Sequence, residues 1–294
     1  MPAPFVRDLC RYRNNGKPNT SDASEKLSIE IGEALFDIIG VPRATPDDEP
    51  VTDEPTGGVF ARCLIEDLER RTQDAGSVLS IIPERRLNTF EQYRHVGLIR
   101  GFEPGPSKAF DQAWRRLTTR ARRSATEREA ERIEPLIVAV EAAITTEANA
   151  RRALLDELGD ESLLGLDVTV SRPGRASTLP LLEAGFSLKW SLRTDRAQDC
   201  RSQGAKMSTL RRGRMPHFAA VTMEPRPYML NLLGGGSGDV DCVYHLDLSS
   251  LSEAVEKVYI GSKLRLKGRD VFRRLVDQRR IRDYDDLVLA VAAM

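Results

Sequence analysis

Two side chains in this sequence are of the types, and lie in the patterns, that could act on a phosphodiester. Asp167 sits in the run Leu164-Gly165-Leu166-Asp167-Val168-Thr169-Val170-Ser171, and Lys189 in Phe186-Ser187-Leu188-Lys189-Trp190-Ser191-Leu192-Arg193. Each run alternates apolar and polar residues, the period of a half-buried strand with its polar side chains on one face. Lys189 is then a mid-strand residue sharing its face with Ser187 and Arg193, and Asp167 lies on the polar face of the other strand. Were the strands neighbours, a carboxylate and an ammonium would converge. A carboxylate can hold a divalent cation, and a lysine can orient or deprotonate water or offset phosphate charge. Together they form the core of a metal-assisted phosphodiester hydrolase. The same pattern also describes a solvated or salt-bridged sheet face.

Both strands need neighbours to hold them in register. The first ends at Arg172-Pro173-Gly174, a turn signal, and the second gives way to a helix that Thr194 or Asp195 can cap. The start of that helix has chemistry of its own. Arg193 and Arg196 can each present two donors to O6 and N7 of guanine, and Asp195 can accept from cytosine amino groups, which suits adjacent G·C pairs. An exposed, ion-paired helix start fits the same residues, with Asp195 favoured by the helix dipole.

The rest of the chain reads as helices and strands around these two. Asp22 or Ser24 can cap an amphipathic helix carrying Leu27, Ile31, Ala34, Leu35 and Ile38 and closed by Gly40. Residues 41–56, with four prolines, form a loop. Residues 58–73 are a helix with Val59, Cys63, Ile65 and Leu68 inward and Glu66 and Glu69 on a solvated face. Residues 106–122 and 125–158 are helical, with a break expected at Pro135. Arg115, Arg116, Arg120, Arg122 and Arg123 form a basic cluster that could contact phosphate, but Glu127, Glu129, Glu131 and Glu134 follow at once and intrahelical pairing is the expectation. Residues 216–224 and 239–248 are strands joined through a glycine-rich turn at 233–238, and 250–278 and 283–293 are helical or mixed. Strands interleaved with long helices give an α/β domain with a mixed central sheet.

Composition sets few further limits. The 294 residues carry 44 basic and 44 acidic side chains, so any nucleic-acid footprint must be local. No apolar run is long enough to span a membrane, and the first residues lack the apolar core of a secretory signal. Cys10, Cys63, Cys200 and Cys242 are scattered and read as reduced thiols. His95, His217 and His245 have no metal-ligand spacing and read as structural.

The segment from Ser187 to Gln198, SLKWSLRTDRAQ, closely resembles the NgoMIV type of type II restriction endonuclease, within the group that cuts around a CCGG core. In that family a KW..R[ST]DRAQ run joins the catalytic lysine to base-reading residues. The resemblance continues through Gly213-Arg214-Met215-Pro216-His217, Val221-Thr222-Met223-Glu224-Pro225 and Gly238-Asp239-Val240-Asp241-Cys242-Val243-Tyr244-His245. It implies a restriction-endonuclease-like fold, a mixed central β-sheet flanked by α-helices, with recognition and cleavage in one catalytic domain over residues 1–294. It implies Mg²⁺-dependent hydrolysis of double-stranded DNA at a palindrome with a CCGG core, GCCGGC in the nearest type, by a cytoplasmic homodimer or homotetramer.

The resemblance also assigns residues. Asp167 becomes the main metal ligand, Lys189 the water-orienting cation, and Glu66, with Glu69 as rival, an additional acid near the metal. Ser187 fills a slot where many nucleases of this fold carry an acid. The family moves that acid to the following helix as a glutamate fourteen residues after the lysine, and Gln203 stands there. Asp199, one turn earlier on the same stripe, could reach the site or be a surface acid. Asp22 falls on a loop that enters the DNA groove and accepts from a cytosine amino group. The family's arginine near the position of Met229 is missing, and Arg226 stands nearby instead. The neutral Gln203 leaves a second reading open, a specific DNA-binding protein of the same fold that cleaves poorly.

Overall fold

Six strands form one mixed sheet in this computed structural model, which describes residues 1–43, 55, 57–72, 78–100, 103–158, 164–174, 179–236, 238–260 and 263–294. They are β1 (Ser80–Arg86), β2 (Gly165–Arg172), β3 (Leu181–Lys189), β4 (His217–Thr222), β5 (Cys242–His245) and β6 (Ile281–Asp283), and they lie side by side in that order. β1, β2 and β3 pair antiparallel, and β3 through β6 pair parallel. The α-helices among the described residues are α1 (Val6–Leu9), α2 (Lys26–Ile39), α3 (Gly57–Thr72), α4 (Arg94–Arg100), α5 (Lys108–Ser124), α6 (Glu127–Leu158), α7 (Thr194–Leu210), α8 (Pro227–Gly234), α9 (Leu248–Tyr259), α10 (Lys263–Asp277) and α11 (Tyr284–Ala292). The α/β class with a mixed central sheet expected from the sequence is the class observed. None of these helices is long and apolar enough to cross a membrane, and all four cysteines are free.

The chain divides into two compact units, one built of Met1–Tyr93 and Leu164–Met294, the other of Arg94–Leu163. The first holds the whole sheet. β3 is not half-buried, as alternation suggested, but buried along nearly its whole length, Ser187 included. Parallel strands in an α/β sheet are covered on both faces, so polar residues on the second face meet helices instead of water. The strand also stops earlier than the alternation did, and Lys189 is its last residue, not a mid-strand one. β1 and β6 are strands that the sequence pattern did not announce. β1 contains Pro83 and a left-handed Glu84 (φ 48°), features confined to sheet edges, and β1 is an edge strand.

Several helices also depart from expectation. α3 buries Phe60, Ala61, Leu64, Asp67 and Leu68, a face rotated from the expected one. Tertiary partners set that rotation: Phe60 packs edge-on against Trp190 at 5.5 Å, and the Tyr284 hydroxyl donates to Asp67 Oδ2 at 2.7 Å. α2 ends as predicted on a left-handed Gly40, but its N-cap is Glu25, and neither Asp22 nor Ser24 caps it. Of the 41–56 loop, residues 44–54 and 56 lie outside the described residues. In the glycine-rich stretch Leu233 and Gly234 belong to α8, and Ser237 lies outside the described residues.

In the second unit α6 runs unbroken through Pro135. A proline removes one backbone donor, a local cost that a 32-residue helix outlasts. The expected neutralisation of the arginine cluster is met at Arg122 alone among the described residues, and across two helices, not within one. α5 stops at Ser124 on an extended Ala125, so the glutamates belong to a different helix. Glu129 caps α6 by accepting from Thr126, and Glu134 accepts from Arg122 alone, at 2.7 and 3.1 Å.

Candidate active site

The antiparallel register that sets Val168 opposite Phe186 brings Asp167 beside the C-terminal end of β3. Asp167 Oδ2 accepts the Leu188 backbone N–H at 2.7 Å and Lys189 Nζ at 3.4 Å. The two side chains keep 37% and 18% of their surface open, so the pair is held but not sealed. Both bonds fall on Oδ2, which leaves Oδ1 uncommitted among the described residues.

Behind the pair lies α7. Its inner face, Ala197, Cys200, Gly204 and Met207, is buried, and Gly204 is required: a Cβ there would lie 1.8 Å from the Asp239 carbonyl oxygen. The buried Ser187 hydroxyl lies near the Cys200 thiol but has no hydrogen-bond partner among the described residues. Burial pushes that thiol up to about 11, with the nearby Ser187 hydroxyl and the Lys189 charge opposing the rise and Asp167 and Asp199 adding to it. Cys200 thus marks where α7 comes within electrostatic reach of the pair. One turn on, Gln203 Oε1 is buried with no hydrogen-bond partner among the described residues. A buried carbonyl oxygen left without a donor is uncommon.

In front of the pair is a cleft of about 810 Å³, lined among others by Asp22, Lys189, Arg193, Arg196, Asp199 and Arg226. Arg193 is the N-cap of α7, in an extended conformation and with no side-chain cap bond, so neither Thr194 nor Asp195 caps the helix. Arg196 Nη1 donates to the Ser191 carbonyl at 3.3 Å. Asp195 is exposed in the first turn and does not line the cleft. Asp22 does. Its Oδ1 accepts the backbone N–H and the hydroxyl of Ser24 at 2.9 and 2.6 Å, and these bonds, more than the charges of Arg226 and Arg193, hold its carboxyl below the usual range. The Asp22 loop lies hard against α2, where a Cβ on Gly32 would meet Ser21 Oγ at 1.9 Å.

The residues that sequence reasoning missed are the ones that fix this wall. Glu224 is fully buried just beyond β4. Its Oε2 accepts the Leu192 N–H at 2.6 Å and its Oε1 accepts Arg226 Nε at 2.6 Å, while Arg226 Nη2 donates to the Leu192 carbonyl. Both backbone groups of the residue preceding Arg193 are thereby clamped. Arg226 Nη1 reaches on to Glu25 at 2.9 Å and Asp22 at 3.4 Å. Burial pushes the Glu224 carboxyl up while the guanidinium and two backbone N–H groups pull it back, and the bond to Glu224 keeps Arg226 charged against its own burial. The available signal was Glu224-Pro225-Arg226 directly after an apolar strand, two opposite charges where burial is expected. Arg226, fully engaged in this network, is a wall element and not a free reader of bases.

The structure thus gathers Asp167, Lys189, Ser187, Arg193, Arg196, Asp22 and Asp199 at one end of the sheet. Neither Glu66 nor Glu69 lines the cleft. Phe60 of α3 lines the cleft, but Glu66 is six residues on, roughly 9 Å along the axis, and both glutamates are exposed. No group of three His, Cys, Asp or Glu side chains able to hold a metal occurs among the described residues. The donor on hand beside Lys189 is one carboxylate, that of Asp167, with both printed bonds on a single oxygen. That suits a hard cation which takes a single protein carboxylate and completes its shell with substrate phosphate and water.

Residues 116–293 match the family model described as NgoMIV restriction enzyme. Over 295 aligned residues, 97% of this chain and 93% of the relative, the sequence is 26% identical to the type II restriction enzyme NgoMIV of Neisseria gonorrhoeae.

Proposed function

The chain belongs to the NgoMIV restriction enzyme family, a type II site-specific deoxyribonuclease, and from that premise we propose that it hydrolyses both strands of double-stranded DNA at a CCGG-core palindrome, GCCGGC, with Mg²⁺. The observation that carries this reading is Lys189, paired with Asp167, lining the cleft that also holds Asp22, Arg193 and Arg196. Chemistry and base reading then share one concavity.

Asp167 Oδ1 and Gln203 Oε1 would hold the cation. When bound, Mg²⁺ supplies charge against the phosphoryl oxygens and eases loss of a proton from water. Lys189, fixed by Asp167, sets its ammonium where it orients the attacking water and meets the scissile phosphate. One P–O ester bond breaks as the water oxygen joins phosphorus, and the leaving oxygen takes a proton. Ser187 shapes the floor between β3 and α7 without carrying charge. Glu66 is not used in this scheme. Arg193 and Arg196 address guanine O6 and N7, and Asp22 and Asp195 accept from cytosine amino groups. A palindromic site calls for a two-fold homodimer, and a homotetramer built of two such dimers extends the same symmetry. DNA is the partner, and the cytoplasm is the compartment assigned.

A second reading is favoured by one observation, the uncharged Gln203: the protein binds its site and cleaves poorly. A plasmid digest in Mg²⁺ beside a gel shift in Ca²⁺ separates the two. Discrete fragments whose ends map to GCCGGC support the nuclease. A sequence-specific shift without fragments supports the binding protein, and neither result on any CCGG-containing DNA removes both.

A further inference from the structure

We propose that the exposed arginine face of α5 is a second DNA-binding surface, one that grips the phosphodiester backbone of duplex DNA without reading bases. Arg115, Arg116, Thr119, Arg120, Arg123 and Ser124 recur at helical spacing and line a groove of about 420 Å³. All six are exposed, and none of the four arginines has an acidic partner among the described residues. The contrast with Arg122 on the same helix is instructive, since Arg122 is forked onto Glu134. In a chain with 44 basic and 44 acidic residues, four unpaired guanidiniums in one groove are a segregated charge, not an excess.

The chemistry of the groove selects its occupant. Guanidinium forks and hydroxyls match phosphate oxygens. No apolar or aromatic side chain lines it, so it lacks what a lipid surface or a stacked base would need. From Arg115 to Arg123 the helix advances roughly 12 Å. Phosphates along one strand of a duplex advance roughly 3.4 Å each, so three or four of them match that span. The inference rests on the nuclease reading only in that DNA is the polyanion this protein meets.

The test is the salt dependence of DNA binding by the full-length protein, measured in Ca²⁺ on a long duplex with a CCGG-core palindrome and on one without. The variant Arg115→Gln, Arg116→Gln, Arg120→Gln and Arg123→Gln removes the charge with almost no change in helix propensity. The log–log salt slope is expected to become shallower by roughly three to four, and low-salt affinity to fall roughly tenfold or more on both duplexes alike. The corresponding lysine variant is expected to keep the wild-type slope within about one, since each lysine still neutralises a phosphate. An unchanged slope in the glutamine variant, with helicity intact by circular dichroism, overturns the proposal while leaving the nuclease reading in place. So does a change in sedimenting mass without a change in slope, which would assign the face to a second copy. A lysine variant as impaired as the glutamine one overturns it as a matter of charge. Wild-type protein that binds no DNA overturns both readings.

Discussion

Asp167–Lys189 and Glu224–Arg226 are both carboxylate–cation pairs in the first unit, and both border the same cleft, yet they are built to opposite ends. The first is open, with 37% and 18% of its side chains exposed, a single 3.4 Å contact and an oxygen to spare. The second is sealed, at 0% and 3%, and almost every donor and acceptor in it is used. An under-satisfied pair at a surface can exchange its partners for water, cation and phosphate. A saturated pair in the interior cannot, and removing half of it strands a charge. The difference separates the pair that reacts from the pair that holds the wall in place.

The largest expected effect tests the open pair. Asp167→Asn keeps the shape and removes the charge, and single-turnover cleavage should fall roughly a thousandfold or more with little change in melting temperature. Cleavage near the wild-type rate would erase the distinction. The sealed pair should behave inversely. Arg226→Ala leaves Glu224 buried without its cation, and denaturant unfolding should show a loss of about 3–5 kcal/mol. Adding Glu224→Gln should recover part of that loss, because no charge is then stranded.

Gln203 sharpens the comparison on the reactive side. If Gln203 holds the cation as proposed, Gln203→Glu supplies a charged oxygen there, and single-turnover cleavage should rise roughly a hundredfold, with Ca²⁺-supported binding changing far less. A flat rate, together with loss of cleavage in Asp199→Asn, would move that role to Asp199.

The smallest effect concerns two histidines of the sheet, the half-buried His217 and the buried His245. Burial opposes charge on His217, but its bond to Asp241 at 2.8 Å prevails and carries it up to about 9. A raised folded pKa stabilises below the ordinary value of 6.5, and that contribution is lost as pH climbs toward about 9. Burial depresses His245 to about 4, so its contribution is present above 6.5 and is lost as pH falls through about 4. Unfolding free energy should therefore decline on both sides of near-neutral pH, and His217→Gln should flatten only the alkaline limb, by on the order of 1 kcal/mol.

What the sequence by itself determined is chiefly what periodicity and local wording encode. The two strands bearing Asp167 and Lys189, the helix after Thr194, the left-handed stop at Gly40 and the α/β class were legible because apolar spacing and a single glycine carry that information. The wording around Lys189 pointed to the family before any coordinate did. Tertiary structure decided the rest. Both faces of β3 are buried because helices cover a parallel sheet, a fact no alternation within the strand can report. The face that α3 presents was set by Trp190 and Tyr284, residues more than a hundred positions away. Pairing decided which charges are spent: Arg122 on Glu134 and Arg226 on Glu224, while Arg115, Arg116, Arg120 and Arg123 have no acidic partner among the described residues. A charge in a sequence has a sign but no partner, and only packing in three dimensions brings the opposite charge within about 4 Å and removes the water between them.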